Sequence, residues 1–184
     1  MSTAATEGIA VRIELPPRLP RTSVAVLVTA VIGSLGTDVR SDWYRSLRKP
    51  EWQPPGAAFG PAWTTLYGLM SLSSARVLGR MDDSRERRAF TAAFGTNLVL
   101  NAAWNWLFFA ARRPRWALVE IVLLEASTVD LTRRAGRSDT EAGTMLLPYA
   151  GWVAFAAALN AAIARRNPPL APIRRTGTAD PRTP

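Results

Sequence analysis

Apolar and polar positions segregate along this chain on the scale of whole helices: five apolar runs stand between junctions that hold the charge and most of the proline. The runs cover 22–37, 61–78, 89–111, 116–131 and 140–164. A helix that crosses a bilayer needs roughly 17 to 25 mostly apolar residues, so the first run is short and requires tilt or local thinning. It lies too far from the N-terminus for a secretory signal and lacks an A-x-A cleavage site, so it is read as a retained span. The pattern predicts an all-α fold, an integral membrane bundle of five transmembrane helices. It divides the chain into a disordered tail at 1–21, a bundle at 22–165 with a capping loop at 38–60, and a disordered basic tail at 166–184. An odd number of crossings places the two tails on opposite sides. Basic residues then divide 11 against 12 between the sides, too evenly for the positive-inside rule to orient the bundle.

Side chains inside the runs add detail. In the stretch 52–67, WQPPGAAFGPAWTTLY, three prolines hold off helix formation until about Pro61. Beyond it Trp63, Tyr67, Met70 and Ser74 recur at i, i+4, i+7 and i+11, so a stiff loop feeds a helix with aromatics on one face. Such a unit can roof and wall a pocket, and equally its tryptophans can be anchors at the membrane interface. In the third run Asn97, Asn101, Trp104 and Phe108 share a face, with Asn105 beside it and Trp106 opposite. The amides fit either interhelical hydrogen bonding or a cavity wall. Glu120, Glu125 and Asp130 in the fourth run share no face, which argues against a paired-carboxylate acid–base site. In the fifth, Trp152, Phe155 and Leu159 continue an aromatic face, and Pro148 is expected to kink the helix. Two stripes of small residues, Ala25–Thr29–Gly33–Thr37 and Ala150–Ala154–Ala158–Ala162, suit close packing within the bundle or between subunits.

Composition narrows the chemistry. Mean hydropathy is +0.01, an average that hides the segregation. The net charge of +9 comes from 22 arginines and one lysine, and without a basic helix interleaved with aromatics it fits anionic lipid rather than nucleic acid. The chain has no cysteine and no histidine. Disulfides, thiolate or imidazole metal sites, and nucleophilic catalysis that depends on histidine are excluded, and no metal site is expected.

The segments WYRSLRKPEWQPP, FGPAWTTLYGLM, LNAAWNWLFF, WALVE and PYAGWVAFAAALN, in this order and spacing between about Val24 and Asn167, resemble the TspO/MBR family. These are the tryptophan-rich sensory proteins related to the mitochondrial translocator protein, or peripheral benzodiazepine receptor. Any one segment is weak; the five together are specific. The resemblance implies a multi-pass membrane protein, usually dimeric, here in a bacterial cell membrane. It would bind porphyrins, such as protoporphyrin IX or haem, and other hydrophobic ligands beneath the first loop, with no cofactor required. Trp43, Trp52, Pro54 and Pro55 match the family's cap motif, and Trp63, Asn101, Trp104 and Trp152 its cavity positions. With Tyr67, Asn97 and Phe108 from the same helical faces, these are the expected ligand-binding residues. In some bacterial relatives the tryptophans matching Trp63 and Trp152 are linked to light-dependent porphyrin breakdown, which makes those two the candidate catalytic residues. Ala161 stands where the family's cholesterol-recognition segment has tyrosine, although Arg165 remains, a departure that argues against sterol binding. The expected function is a receptor or carrier of tetrapyrroles; the alternatives are an enzyme-like photochemical activity and a purely structural membrane protein.

Overall fold

The computed structural model describes residues 15–168. The expected tails fall largely outside the described residues. Helix α1 (Leu19–Leu35) starts ahead of its apolar run because Pro20 occupies the first turn, where a missing backbone donor costs nothing. Its inward face is small and polar: Thr22, Val26, Thr29 and Gly33 are buried, whereas Val24, Leu27, Val28, Val31, Ile32 and Leu35 are exposed. That inversion suits a bundle whose outside is solvated by lipid.

The capping loop, expected to be non-helical, contains a short helix, α2 (Asp42–Ser46), started by Ser41, whose hydroxyl accepts from the Tyr44 amide at 3.3 Å. A 3-10 turn at Gly56–Ala58 then leads into α3 (Phe59–Arg80). Helix α4 (Ser84–Asn105) begins before its apolar run because Asp83 caps it, accepting from the Arg85 amide at 2.7 Å. A π turn, Trp106–Ala110, completes it. Helix α5 (Pro114–Ser138) outlasts its apolar run. Thr132 bonds back to the Thr128 carbonyl and Arg134 pairs with Asp130, so residues in the polar junction between the fourth and fifth apolar runs remain helical. Asp139 alone then separates it from α6 (Thr140–Arg166), which passes Pro148 as one continuous helix.

The five long helices close into a ring: α1 packs on α3 and α4, α3 on α6, α6 on α5, and α5 on α4. Met70, Phe90, Leu146 and Tyr149 fill its centre. The Tyr149 hydroxyl donates to Asn97 Oδ1 (3.1 Å) and accepts from Asn101 Nδ2 (3.0 Å). Asn97 Nδ2 donates to Thr128 (2.9 Å), and the Tyr67 hydroxyl to Asn101 Oδ1 (2.9 Å). One buried network thus ties α3, α4, α5 and α6 together. Among the described residues, α6 alone is long and apolar enough to cross a membrane by length and composition.

At the end of the ring away from the capping loop, Asp139 is a junction. It caps α6 through the amides of Glu141 (3.0 Å) and Ala142 (3.3 Å), and it pairs with Arg76 (3.0 Å) and Arg80 (2.8 Å) on α3. Burial pushes its carboxyl up, but the Arg76 hydrogen bond, the Ala142 amide and the two guanidinium charges outweigh that, so its pKa lies below the ordinary 3.8. A depressed carboxylate contributes stability that is present above its unfolded value and lost as pH falls through its folded one. Asp139→Asn keeps the cap acceptor and drops the charge. It is expected to cost about 1 to 2 kcal/mol near neutrality, with the gap to the parent closing as pH falls below 3.8. Thermal melts across that range check this; a gap independent of pH would contradict it.

Candidate aromatic ligand cavity

A cavity of about 610 Å³ lies between α1, α3, α4 and α6 beneath the capping loop. Helix α3 supplies Phe59, Trp63 and Tyr67, α4 with its π turn Trp104, Asn105, Phe108 and Phe109, and α6 Trp152, Phe155, Leu159 and Asn160. Ala30, Gly33 and Ser34 of α1 close one side, and Tyr44 and Gln53 of the loop form the roof. The aromatic rings support one another. Trp63 meets Trp152 edge-on at 6.3 Å and lies tilted against Tyr67 at 5.1 Å; Trp104 stacks on Phe108 at 5.2 Å and 24°.

Polar groups on the wall are few and mostly committed. Trp104 Nε1 donates to Asn160 Oδ1 (3.0 Å), and Asn160 Nδ2 donates to the Pro114 carbonyl (2.8 Å), which fixes the indole plane against α6. Asn105 donates to the Asn101 carbonyl and accepts from Thr37. At the roof, Gln53 Nε2 lies 3.5 Å from the Tyr44 hydroxyl, and Gln53 Oε1 has no partner among the described residues. Burial pushes the Tyr44 hydroxyl up and the Lys49 ammonium, 3.9 Å over the Tyr44 ring, down.

Of the residues expected from the sequence, Trp63, Tyr67, Trp104, Phe108 and Trp152 line this one space. Asn97 and Asn101 do not. They are 0% and 2% exposed, and their amides are spent on Thr128, Tyr149 and Tyr67 behind the wall. The hydrogen-bonding reading therefore describes them, with Asn101 holding Tyr67 in place. Trp43 packs edge-on against the outer side of Phe108 (5.8 Å), and Trp52, 49% exposed, against Phe155 (5.8 Å). Pro54 and Pro55 are not on the wall; the Pro55 carbonyl opens the 3-10 turn by accepting from Ala58 at 2.9 Å. These four shape the roof from behind. Trp106 points away and donates to the Ile32 carbonyl at 3.0 Å, lying so close to α1 that a Cβ on Gly36 would come within 2.9 Å of its ring.

Two features escaped sequence reading. The π turn places an extra residue per turn, shown by the Ala111 amide reaching the Trp106 carbonyl (2.8 Å), and so brings Phe109 onto the wall beside Phe108 at 4.9 Å. Helical periodicity of 3.6 cannot give this. Asn160, next to Leu159 on the expected face, became visible only through its bond to Trp104. The small stripe of α1 is used inside the subunit: a Cβ on Gly33 would stand 3.0 Å from Asn105 Nδ2. On α6, by contrast, Ala154 and Ala158 are exposed.

Comparison with known proteins gives a consistent set of likenesses. The profile of the TspO/MBR family matches residues 22–166. The tryptophan-rich protein TspO of Archaeoglobus fulgidus is 40% identical over 149 residues, 79% of this chain and 94% of the relative. The translocator protein of Homo sapiens is 36% identical over 126 residues, covering 68% and 75%. The tryptophan-rich sensory protein of Cereibacter sphaeroides is also 36% identical over 126 residues, covering 68% and 77%.

Proposed function

The chain belongs to the TspO/MBR family of membrane helical bundles, and from that premise we propose that it is a multi-pass receptor or carrier that takes up porphyrins and other flat hydrophobic molecules in its aromatic cavity. The observation that carries this reading is the convergence of Trp63, Trp104 and Trp152 on a single cavity of about 610 Å³. That volume lies within the range of roughly 300 to 1,000 Å³ usual for small-molecule sites, and a mostly apolar wall with a few fixed polar groups is their usual chemistry. A tetrapyrrole gains from such a wall by stacking and by burying its faces. The ligand is held by shape, stacking and hydrogen bonds; for a haem iron the chain offers no imidazole or thiolate, only a weaker tyrosine or methionine ligand. The exposed aliphatic belts of α1 and α5 support insertion in a cell membrane. Homodimerisation belongs to the same reading, with the exposed alanines of α6 as its available face. Ala161, in place of an aromatic, leaves sterols out of it.

A second reading is favoured by one contact, the edge-on approach of Trp63 to Trp152 at 6.3 Å. Paired indoles beside a photoexcited porphyrin can donate an electron to it, so that the indole is oxidised and the porphyrin reduced. Titration with protoporphyrin IX in darkness, followed by illumination, separates the readings. The receptor reading expects saturable quenching of tryptophan fluorescence with an intact porphyrin spectrum. The photochemical reading expects bleaching of the parent, roughly tenfold slower in Trp63→Phe and Trp152→Phe at similar dark affinity. Bleaching at the parent rate in both variants, or none in the parent, removes the second reading. Absence of saturable binding in the dark removes the first.

A further inference from the structure

The loop that roofs the cavity is fastened to the end of the last helix. Asn167, the residue after α6, accepts from the Arg48 amide through Oδ1 (3.0 Å) and donates Nδ2 to the Arg48 carbonyl (3.1 Å). A side-chain amide thus pairs with both polar groups of one loop residue, which only a group carrying a donor and an acceptor side by side can do. Arg166 adds Nη1 to the Lys49 carbonyl at 2.9 Å. Asn167 is itself anchored, since its Nδ2 and its backbone amide both reach the Ile163 carbonyl, at 2.8 and 3.1 Å.

These bonds are, among the described residues, the only hydrogen bonds from loop residues 38–55 to a helix of the ring. They fall midway between the two parts of the loop that face the cavity, Tyr44 on one side and Gln53 on the other, and Ile163 is a wall residue too. The bonded loop segment also carries the Lys49 ammonium that sits over Tyr44, and Tyr44 leans on Phe108 and Phe109. The rest of the roof is held by aromatic packing, which is less directional than a paired hydrogen bond.

We propose that Asn167, assisted by Arg166, is a positioning residue that clamps the roof shut and sets the rate at which ligand enters and leaves. The clamp stands on the bonds of Asn167 and Arg166 to the loop; its effect on ligand rests on the reading of the cavity given above. The test is hydrogen–deuterium exchange on the ligand-free full chain in detergent, comparing the parent with Asn167→Ala, Asn167→Asp and Arg165→Ala. Asn167→Ala loses both bonds and Asn167→Asp loses the donor, so amides of residues 42–53 should exchange roughly tenfold faster in each, with those of α3 and α6 unchanged. Among the described residues Arg165 bonds only the Ala161 carbonyl of its own helix, and its loss should leave the loop unaffected. Unchanged loop exchange in Asn167→Ala, or acceleration spread evenly over the bundle, overturns the clamp. In stopped flow, Asn167→Ala should release protoporphyrin IX roughly tenfold faster than the parent. Faster loop exchange with unchanged release overturns the gating role. If the parent binds no protoporphyrin IX, the reading of the cavity fails, while the exchange result decides the clamp independently.

Discussion

Gly143→Ala is expected to cost about 3 kcal/mol of stability, whereas Gly136→Ala, its partner across the same crossing, should be neutral or stabilising by up to about 1 kcal/mol. The two glycines meet where α5 turns into α6, but their missing side chains aim differently. A Cβ on Gly143 would stand 2.6 Å from the Gly136 Cα and 2.8 Å from its nitrogen. Those are backbone atoms inside a helix and cannot swing aside. A Cβ on Gly136 would meet the Gly143 Cα at 3.9 Å, ordinary van der Waals contact. Alanine there only gains helix propensity. Relief at Gly143 requires α5 and α6 to move apart, which loosens the hairpin beside Asp139 and weakens the reach of Tyr149 to Asn97 and Asn101. Thermal unfolding of both variants in one detergent measures the difference; equal effects would contradict the packing described.

The sequence made the helices legible because lipid-facing and most core-facing residues are apolar, so each long helix contains a largely apolar run, the fourth interrupted by Glu120 and Glu125. Boundaries were less visible. Capping by Asp83, a proline in the first turn of α1, and the i,i+4 pair of Asp130 with Arg134 extend helices into polar sequence, where hydropathy carries no signal. In the cavity, helical spacing located Trp63, Tyr67, Trp104, Phe108 and Trp152, since a face is a property of one helix. What a face meets is a property of two. Asn97 and Asn101 lie on the face of Trp104, yet Tyr149 on another helix takes their amides and draws them behind the wall. The π turn and the bonds of Asn167 to Arg48 escaped for the same reason: one changes the period, and the other joins positions 119 residues apart. Glu120 and Glu125 lie inside the fourth apolar run. Glu120 is 7% exposed, and neither of its carboxyl oxygens has a protein partner among the described residues.

The second large effect concerns the cavity. Trp104 contributes one indole face stacked on Phe108 and one N–H bonded to Asn160. Trp104→Ala removes the wall and leaves Asn160 Oδ1 without its donor, so loss of stacking and buried area together should weaken tetrapyrrole binding by about 1 to 3 kcal/mol, roughly five- to a hundredfold. Trp106 is a poor control, because its bond to the Ile32 carbonyl and its packing on Gly36 hold α1 in place. Trp116 is the better one: it is 63% exposed on α5, a helix that contributes nothing to the cavity wall. Equilibrium titration of protoporphyrin IX against the parent, Trp104→Ala and Trp116→Ala, in darkness and in one detergent, tests the aromatic cavity as the ligand site most directly. The account predicts a fall in affinity confined to Trp104→Ala; equal affinities in all three proteins, or equal losses in both variants, would contradict it.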